Sequence, residues 1–331
     1  MATIADLSSD PGRVKEMATF FTEEEVGALL PMPEAVAAVE EAFRLLGEKK
    51  AVNRPRGRVR LDKLVLHVMS AGSDALGYAG LKAYTTGPSG ARFYFLLFES
   101  GKGELVAMMA ADRLGQIRTG AATAVATRTL APREATRVGI YGSGWQARSQ
   151  LEALAASRTV SQATVFSRDA GRRKAFCDEM TKVLGLPVRP ASRPEDVAAE
   201  SEILVTATSS RDPVLLGAWL EPGHHVNAVG SNALTRREID ELAVTRADVI
   251  AADSVEQAKI ECGDLVAVVE AGKLSWERVK ELGDVVASGF SRGPEAITLF
   301  ESQGIAIEDV AAAKVVYEKG REQGLGRELN V

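Results

Sequence analysis

Residues 137–148 read Arg-Val-Gly-Ile-Tyr-Gly-Ser-Gly-Trp-Gln-Ala-Arg, an apolar strand that a glycine-rich turn joins to a helix. In a GxGxxA turn of this kind, Gly142 permits the tight turn and Gly144 lets the backbone approach a pyrophosphate, while Ala147 keeps helix and strand close. Amide N–H groups at the start of the helix then face the phosphates. The stretch therefore predicts a dinucleotide site.

The surrounding sequence favours this interpretation over an ordinary strand-turn-helix. An alanine-rich helical pattern over 147–156 and a short strand over 163–166 follow the turn, at the spacing of a βαβ unit of roughly 30 residues. Further strand-like segments recur, separated by helical patterns or turns, at 203–207, 225–229 and 249–251. This alternation predicts a parallel, doubly wound sheet, the Rossmann arrangement.

The first part of the chain has a different pattern. Apolar periodicity predicts an amphipathic helix from Thr22 to Gly47. Shorter alternating segments predict antiparallel strands at 56–60, 64–69, 78–84 and 93–98, with turns at 62–63, 72–73 and 88–90. Helices are expected again at 110–130 and 307–324, the latter packing back on the first domain. The expected fold class is α/β, a Rossmann domain with a second α+β domain built on an antiparallel sheet.

Composition limits the classes of partner. A chain of 331 residues with 46% hydrophobic content can bury the cores of two domains, and its net charge of −5 gives no attraction to nucleic acid or anionic membrane. No window is long and apolar enough for a transmembrane helix or an export signal. Cys177 and Cys262 have neither disulfide-framework nor zinc spacing, so no metal is expected. A cytoplasmic protein with small-molecule partners is predicted.

Three cationic residues lie in segments that flank the expected cleft: Arg56, Lys82 and Arg118. Lys82 interrupts an apolar strand, where an unpaired ammonium is costly, so we expect it to meet an anion. Arg118 precedes a run of small residues, where a guanidinium can hold a carboxylate. Of the histidines, His67 is the acid-base candidate if it faces the cleft, although a hydrogen-bonded core histidine is the commoner case, and His224-His225 is expected to be a loop pair.

The chain resembles the ornithine cyclodeaminase/mu-crystallin family almost from end to end. The motifs that carry the resemblance, besides the glycine turn, are Asn53-Arg-Pro-Arg56, Met69-Ser-Ala71, Gly80-Leu-Lys82, Gly103-Glu-Leu-Val-Ala107, Arg118-Thr-Gly-Ala-Ala-Thr-Ala-Val-Ala126, Thr206-Ala-Thr-Ser209, Pro222-Gly-His-His-Val-Asn-Ala-Val-Gly230, Arg237-Glu-Ile-Asp240, Asp253-Ser254, Ile297-Thr-Leu-Phe-Glu-Ser-Gln-Gly304 and Glu308-Asp309.

The resemblance implies a discontinuous substrate and dimerisation domain, residues 1–118 plus 312–331, around a Rossmann domain of residues 119–311. It implies homodimers that join their antiparallel sheets. It also implies a nicotinamide cofactor used on the C–N bond of an amino acid or its imine. By motif position, Arg56, Lys82 and Arg118 match the residues that hold the substrate carboxylate. The turn and the motifs together place these residues at the cofactor: Gly142, Ser143, Gly144, Trp145, Gln146, Ala147, Ser167, Arg168, Arg172, Thr119, Thr208, Val229 and Gly230.

Two positions depart from the cyclodeaminase pattern. Asn232 stands where cyclodeaminases carry a catalytic aspartate, and an amide cannot exchange a proton at neutral pH. His67 stands where ornithine cyclodeaminases carry a glutamate that serves the diamine substrate, and Ser70 replaces a common proline. Both departures weaken an ornithine assignment and leave hydride transfer possible.

The end of the second Rossmann strand bears on the choice of cofactor. Ser167 and Arg168, followed by Arg172 and Arg173, suit the 2′-phosphate of NADP(H), which is preferred here over NAD(H). The alternative is that Asp169 binds the ribose hydroxyls of NAD and the arginines form a solvated face.

The sequence thus predicts an NAD(P)H-dependent imine reductase or amino-acid dehydrogenase, with Lys82, His67 and Asn232 at the reacting atoms. His67 is expected to supply or relay the proton, and Asn232 to orient the nitrogen. One alternative is an ammonia-releasing cyclodeaminase that recycles its cofactor. Another is a non-catalytic, crystallin-like cofactor-binding protein.

Overall fold

The computed structural model describes residues 17–330; residues 1–16, which belong to the segment expected to carry no export signal, lie outside it. Its strands are β1 (Met17–Phe21), β2 (Val52–Arg60), β3 (Val65–Ser73), β4 (Tyr78–Gly87), β5 (Gly90–Glu99), β6 (Leu105–Ala110), β7 (Arg137–Tyr141), β8 (Gln162–Phe166), β9 (Val188–Pro190), β10 (Ile203–Thr206), β11 (His225–Ala228), β12 (Val249–Ala252), β13 (Val279–Glu281), β14 (Thr298–Glu301) and β15 (Arg327–Asn330). Its helices are α1 (Glu23–Leu29), α2 (Met32–Gly47), α3 (Asp112–Leu130), α4 (Trp145–Ser157), α5 (Ala170–Leu184), α6 (Pro194–Ala199), α7 (Glu241–Arg246), α8 (Val255–Glu261), α9 (Gly263–Glu270), α10 (Leu282–Ala287) and α11 (Ala306–Gln323).

The strands from β7 to β14 form one sheet in the order β13-β12-β14-β11-β10-β7-β8-β9, and all neighbours are parallel. The chain moves outward in one direction from β7 to β8 and β9, and then returns to the other side of β7 with β10. Ligands of open parallel sheets bind at the carboxyl ends of the strands beside such a switch point. The predicted Rossmann arrangement is confirmed.

The remaining strands form a second sheet in the order β15-β1-β6-β5-β4-β3-β2. The neighbours from β2 to β6 are antiparallel, as predicted, but β1 lies parallel to β6. The register places Arg58, His67, Tyr84 and Phe93 in one cross-strand row. Because successive side chains point to opposite faces of a sheet, rows on the same face are two residues apart along each strand.

Two helices connect the sheets. Most of α3 is buried, because its small residues allow close packing: a Cβ on Gly120 would lie 2.3 Å from the carbonyl oxygen of Ser149 in α4. Helix α11 packs on β3, β4, α2 and α3, as expected for the tail. The domain boundaries expected near residues 118 and 312 lie within α3 and α11, and both helices are unbroken there.

Several predicted element limits are wrong. The helix expected over Thr22–Gly47 is two helices, because prolines at 31 and 33 cannot continue α1 and instead begin α2. Ala110 ends β6, paired with Tyr94, so α3 begins only at Asp112. Residues 72–73 belong to β3 and not to a turn, since they pair with residues 78–79 of β4. The turn follows them, with Gly77 at φ +79.

His225 corrects another expectation. It is fully buried in β11 and not in a loop, with Nδ1 2.8 Å from the Thr298 hydroxyl and Nε2 3.1 Å from Oδ1 of Asn227. Among residues 17–330, no helix is both long and apolar enough to cross a membrane.

Candidate active site

The glycine turn leaves β7 and enters α4. Gly142 has φ +116, and a Cβ there would lie 2.4 Å from the carbonyl oxygen of Ala207, so both conformation and space require glycine. Gly144 is the N-cap of α4 and has extended backbone, and a Cβ there would meet no atom within 4 Å. Within residues 17–330 no side chain caps the helix, so its first N–H groups have no side-chain partner there. The geometry fits a bound pyrophosphate.

Glu238 holds the two loops that face this turn. Its carboxylate accepts hydrogen bonds from the backbone N–H groups of Thr208 and Gly230, each at 2.6 Å, and from the Thr206 hydroxyl at 2.9 Å. Asp264 in turn accepts from the backbone N–H of Glu238 at 2.8 Å. Burial raises the pKa of Glu238 to about 7. Glu238 lies in the motif Arg237-Glu-Ile-Asp240, but no role for it could be predicted from the sequence, since its partners come from other loops.

Asp264 also belongs to a buried acidic cluster. One potential metal-ligand atom from each of Cys262, Asp264 and Glu301 lies within 4.8 Å of the others. Burial raises the pKa of all three groups, to about 6 for Asp264. Raised pKa values favour the protonated, neutral groups and disfavour the anionic forms that bind metals.

A cavity of about 280 Å³ lies beside the end of β8. Its lining includes the predicted residues Gly142, Ser143, Ser167, Arg168 and Arg172. The Ser143 and Ser167 hydroxyls are 2.9 Å apart. Asp169, the alternative ribose ligand, accepts from the backbone N–H of Arg172 at 2.9 Å and thereby caps α5.

A larger cavity of about 1040 Å³ adjoins the first, and Gly144, Ala207, Thr208 and Ser209 line both. Its lining includes the predicted cofactor residues Thr119, Trp145, Gln146, Val229 and Gly230. Ala147 lines neither cavity and is buried against the sheet. The large cavity also brings together Arg56, His67, Lys82, Arg118 and Asn232. One continuous cleft therefore joins the glycine turn to the cationic residues.

All three cationic residues of this group are buried and paired with carboxylates. Lys82 Nζ lies 2.9 Å from Oδ1 of Asp309, and Arg118 contacts Glu308 at 2.7 Å and Asp309 at 3.2 Å. Arg56 contacts Glu261 at 2.6 Å. The sequence predicted an anion for Lys82, and the structure supplies one from α11.

The electrostatics of these pairs follow from burial. The pKa of Lys82 is lowered, because the effect of burial is larger than the opposing effect of Asp309. Burial also raises the pKa of Glu308 to about 8, against the lowering effect of Arg118. One oxygen of Glu308 and one of Asp309 have no hydrogen-bond partner within residues 17–330. A protonated Glu308 would leave Lys82 and Arg118 sharing the single negative charge of Asp309.

The loop that precedes α11 supports the arginines. Asp253 accepts hydrogen bonds from the backbone N–H groups of Gln303 at 2.7 Å and Gly304 at 2.6 Å. Arg56 then donates to the carbonyl oxygens of the same two residues at 2.8 and 3.0 Å. A Cβ on Gly304, whose φ is +73, would lie 2.4 Å from Nη1 of Arg118, so glycine is needed there.

His67 faces the cavity from β3. Its ring stacks on Tyr84 with centroids 4.2 Å apart, and Nε2 lies 3.1 Å from the Thr86 hydroxyl. Burial, followed by the positive charge of Arg58, lowers the pKa of His67 to about 4. The imidazole is therefore neutral near pH 7.

Asn232 also lines the large cavity and is exposed. Its backbone oxygen accepts a hydrogen bond from Nη2 of Arg58 at 3.1 Å, which ties the loop to β2.

The chain is similar to several known proteins over most of its length. An alanine dehydrogenase of Archaeoglobus fulgidus is 34% identical over 322 residues, which cover 93% of this chain and 97% of that protein. The structure of Thermococcus litoralis Δ1-pyrroline-2-carboxylate reductase with NADH and L-proline matches with a TM-score of 0.89 at 30% identity, covering 94% of this chain and 100% of that one. The iminosuccinate reductase of Paracoccus denitrificans with NAD+ gives a TM-score of 0.90 at 26% identity, covering 95% and 100%.

The family comparison covers nearly the whole chain. The sequence model of the ornithine cyclodeaminase/mu-crystallin family matches residues 16–324. Together with the glycine turn and the paired cationic residues, this match assigns the protein: the chain belongs to the ornithine cyclodeaminase/mu-crystallin family.

Proposed function

We propose that the protein is an NAD(P)H-dependent imine reductase or amino-acid dehydrogenase. The observation that carries the proposal is the continuous cleft, which has a dinucleotide turn at one end and Arg56, Lys82 and Arg118 at the other. Relatives named as alanine dehydrogenase, Δ1-pyrroline-2-carboxylate reductase and iminosuccinate reductase support it. All three names describe chemistry at a carbon that bears both nitrogen and a carboxylate.

The cationic residues would bind the carboxylate of the substrate. Their carboxylate partners and the 303–304 carbonyl oxygens hold them in place before the substrate arrives. Such preorganised charges need no rearrangement during the reaction. The bound carboxylate would fix the neighbouring imine carbon in the cleft, and positioning of this kind lowers the barrier to hydride transfer. Lys82 would also polarise the imine.

A reduced nicotinamide, when bound, supplies the hydride in this proposal. In the reductive direction the C=N carbon gains a C–H bond with the hydride's electron pair. The π electrons pass to the nitrogen, which takes a proton, so that the products are an amino acid and the oxidised cofactor. The reverse direction returns the hydride and the proton.

The proton route is proposed to run through His67. The low pKa of His67 makes an imidazolium donor scarce at neutral pH, so the neutral ring would relay a proton between its two nitrogens. Its Nδ1 has no partner in the described chain and Nε2 lies near Thr86. Asn232 would orient the nitrogen by hydrogen bonding. A His67→Gln variant that retains the wild-type rate and pH profile would remove this role.

We further propose a preference for NADP(H) over NAD(H). Ser167, Arg168 and Arg172 line the small cavity, while Asp169, the one carboxylate that residues 17–330 contribute to its lining, already caps α5. The guanidinium side chains suit a 2′-phosphate. The ratio of kcat/KM values for NADPH and NADH tests this preference, and a ratio below one would contradict it.

The proposal extends to assembly and location. The mixed sheet and the C-terminal tail, residues 1–118 plus 312–331, would form the substrate and dimerisation domain around a Rossmann domain of residues 119–311. The outer sheet face exposes Val59, Val68 and Tyr94 by 56, 36 and 40%, which supports burial in a homodimer. The archaeal alanine dehydrogenase structure is a dimer. Two free, buried cysteines are consistent with the cytoplasm.

Parallel assays of cofactor absorbance and ammonia test the reaction class. Purified protein is mixed with NADPH or NADH and a panel of cyclic imino acids, or of 2-oxo acids with ammonia or methylamine. We expect loss of the reduced-nicotinamide band. Ammonia release from a diamino acid without any absorbance change would instead identify a cyclodeaminase, and cofactor binding without turnover would identify a binding protein.

A further inference from the structure

A row of arginines leads from the carboxylate-binding residues to the mouth of the large cavity. Arg56, Arg58 and Arg60 occupy alternate positions of β2, and all three line the cavity. Their exposure increases along the strand: the side chain of Arg56 is 3% exposed and that of Arg58 15%, while Arg60 is an exposed residue. The cavity wall is therefore cationic from its interior to solvent.

The strand register fixes how far these arginines lie from Lys82. Lys82 pairs with Met69. On the same face of the sheet, the next row contains His67 and Arg58, and the row beyond it contains Val65 and Arg60. Each step of two residues along a strand is about 7 Å. A chain of four or five carbons with a carboxylate at each end can bridge one such step, given the reach of an arginine side chain.

The described acidic groups do not neutralise this row. A single carboxylate, that of Glu261, contacts both Arg56 and Arg58, which leaves one positive charge in excess. Within residues 17–330, Arg60 and Arg236 both line the cavity and neither has a carboxylate within 4.0 Å. The other acidic residue of the lining, Asp112, lies at the start of α3, and the charges that act on it are those of Glu23 and Lys82.

The excess charge is not explained by the cofactor phosphates. Those phosphates are expected at the glycine turn and at the small cavity, and none of the β2 arginines lines that cavity. A solubilising surface role is also insufficient, because Arg58 is largely buried and its partner Glu261 is 2% exposed. Buried guanidinium groups need compensating negative charge, and the one carboxylate of Glu261 cannot neutralise both Arg56 and Arg58.

We propose that the substrate carries a second carboxylate on its side chain, bound by Arg58 and Arg60. The substrate class is then a 2-imino dicarboxylic acid of four or five carbons, or the corresponding amino dicarboxylic acid in the oxidative direction. This inference rests on the proposed reductase function and adds the identity of the side chain to it.

Isosteric acid and amide pairs test the second carboxylate. Oxidation of L-aspartate is compared with that of L-asparagine, and L-glutamate with L-glutamine, using oxidised cofactor and the full-length protein. L-alanine and L-proline are the monocarboxylate references. We expect kcat/KM for at least one acid to exceed that for its amide by about tenfold or more, because charge-assisted hydrogen bonds are the stronger ones.

Two variants on β2 distinguish binding of the second carboxylate by Arg60 from a general effect of losing one positive charge. Arg60→Gln should lower kcat/KM for the acid about tenfold, mainly through KM, and change the values for the amide and L-alanine by less than about twofold. Arg54→Gln is the matched control, since Arg54 is exposed on β2 and does not line the cavity. It should change none of these values.

The outcomes distinguish this inference from the function it rests on. Oxidation of L-alanine or L-proline without preference for either acid would overturn the inference and leave the reductase proposal standing. An equal loss for acid and amide in Arg60→Gln would also overturn it. No turnover of any amino acid, nor of any imino acid in the reductive direction, would overturn both.

Discussion

The ammonium of Lys82 lies 2.9 Å from Oδ1 of Asp309, although 227 residues separate them in the chain. Both side chains are almost fully buried, at 3 and 0% exposure. The pair joins β4 to the N-terminal end of α11, and Arg118 of α3 contacts the same carboxylate. Three elements thus meet at one carboxylate, and two of its partners, Lys82 and Arg118, line the large cavity.

Replacing Lys82 by Met should weaken substrate binding without preventing cofactor binding. A hydrogen bond to a charged group contributes about 1.5–3 kcal/mol. We therefore expect kcat/KM for the amino or imino acid to fall about 10- to 100-fold, with the affinity for reduced cofactor changed less than about twofold. Lys102→Met, at an exposed lysine paired with Glu99, is the matched control and should match the wild type. Wild-type kinetics in Lys82→Met would contradict the role of Lys82.

The two glycines of the turn should respond differently to alanine. A Cβ on Gly142 would meet the Ala207 carbonyl at 2.4 Å in a left-handed conformation, so Gly142→Ala should unfold at a lower temperature. A Cβ on Gly144 meets nothing within 4 Å and should leave the melting temperature unchanged, but it would occupy the space where the pyrophosphate is expected. Fluorescence titration should then show at least about tenfold weaker binding of reduced cofactor. Wild-type affinity in Gly144→Ala would show that the phosphates bind elsewhere.

Glu238→Gln should weaken cofactor binding through the loops. An amide in place of the carboxylate turns one acceptor into a donor that faces Thr208 or Gly230 N–H groups, and one of these becomes unsatisfied. An unsatisfied buried group costs about 1–3 kcal/mol. We expect a lower free energy of unfolding and weaker cofactor binding by about tenfold. Glu241→Gln, at an exposed glutamate, is the control. Equal cofactor affinities in the two variants would contradict the assignment.

The free energy of unfolding should decrease as pH rises from 6.5 to 8. Burial raises the pKa of Glu238 and Asp253 to about 7 and that of Glu308 to about 8, above the values near 4 of the unfolded chain. In this window the folded state holds protons that the unfolded state has released, and stability is lost as the pH passes through the folded pKa values.

The size and specificity of this pH effect can both be measured. Each extra proton on the folded chain corresponds to about 1.4 kcal/mol per pH unit. Groups with a lowered pKa act in the opposite sense: His67 and His225 do so only below about pH 6.5, since their pKa values are lowered to about 4 and 3, whereas Lys82 is a single opposing group at higher pH. Urea unfolding followed by circular dichroism measures the slope, which Glu238→Gln should reduce. A flat or rising profile would contradict the raised pKa values.

The dinucleotide end of the cleft could be predicted because its determinants are local. The positive φ of Gly142 and the open space beside Gly144 both follow from one short turn and the spacing of the next strand. The break between α1 and α2 also has a local determinant, the prolines at 31 and 33. Periodicity over the longer segment obscured this signal.

The remainder of the site depends on contacts between distant segments. Nothing near Lys82 in the sequence identifies Asp309 as its partner, and nothing near Glu238 identifies the amides of Thr208 and Gly230. Strand β14, which lies between β11 and β12 in the Rossmann sheet, was not predicted from the sequence. Its run of four buried residues is too short to show a periodicity. Such contacts require the tertiary structure.

Transfer of a label from the cofactor to the substrate tests the proposed hydride transfer most directly. The protein is supplied with NADPH or NADH that carries deuterium at both C4 positions, together with 2-oxo acids and ammonia or a cyclic imino acid, and the amino acid product is analysed by mass spectrometry and NMR. Hydride transfer predicts one deuterium atom in the product, bound to carbon 2. An amino acid product without deuterium, or no amino acid product from any of these compounds, would contradict it.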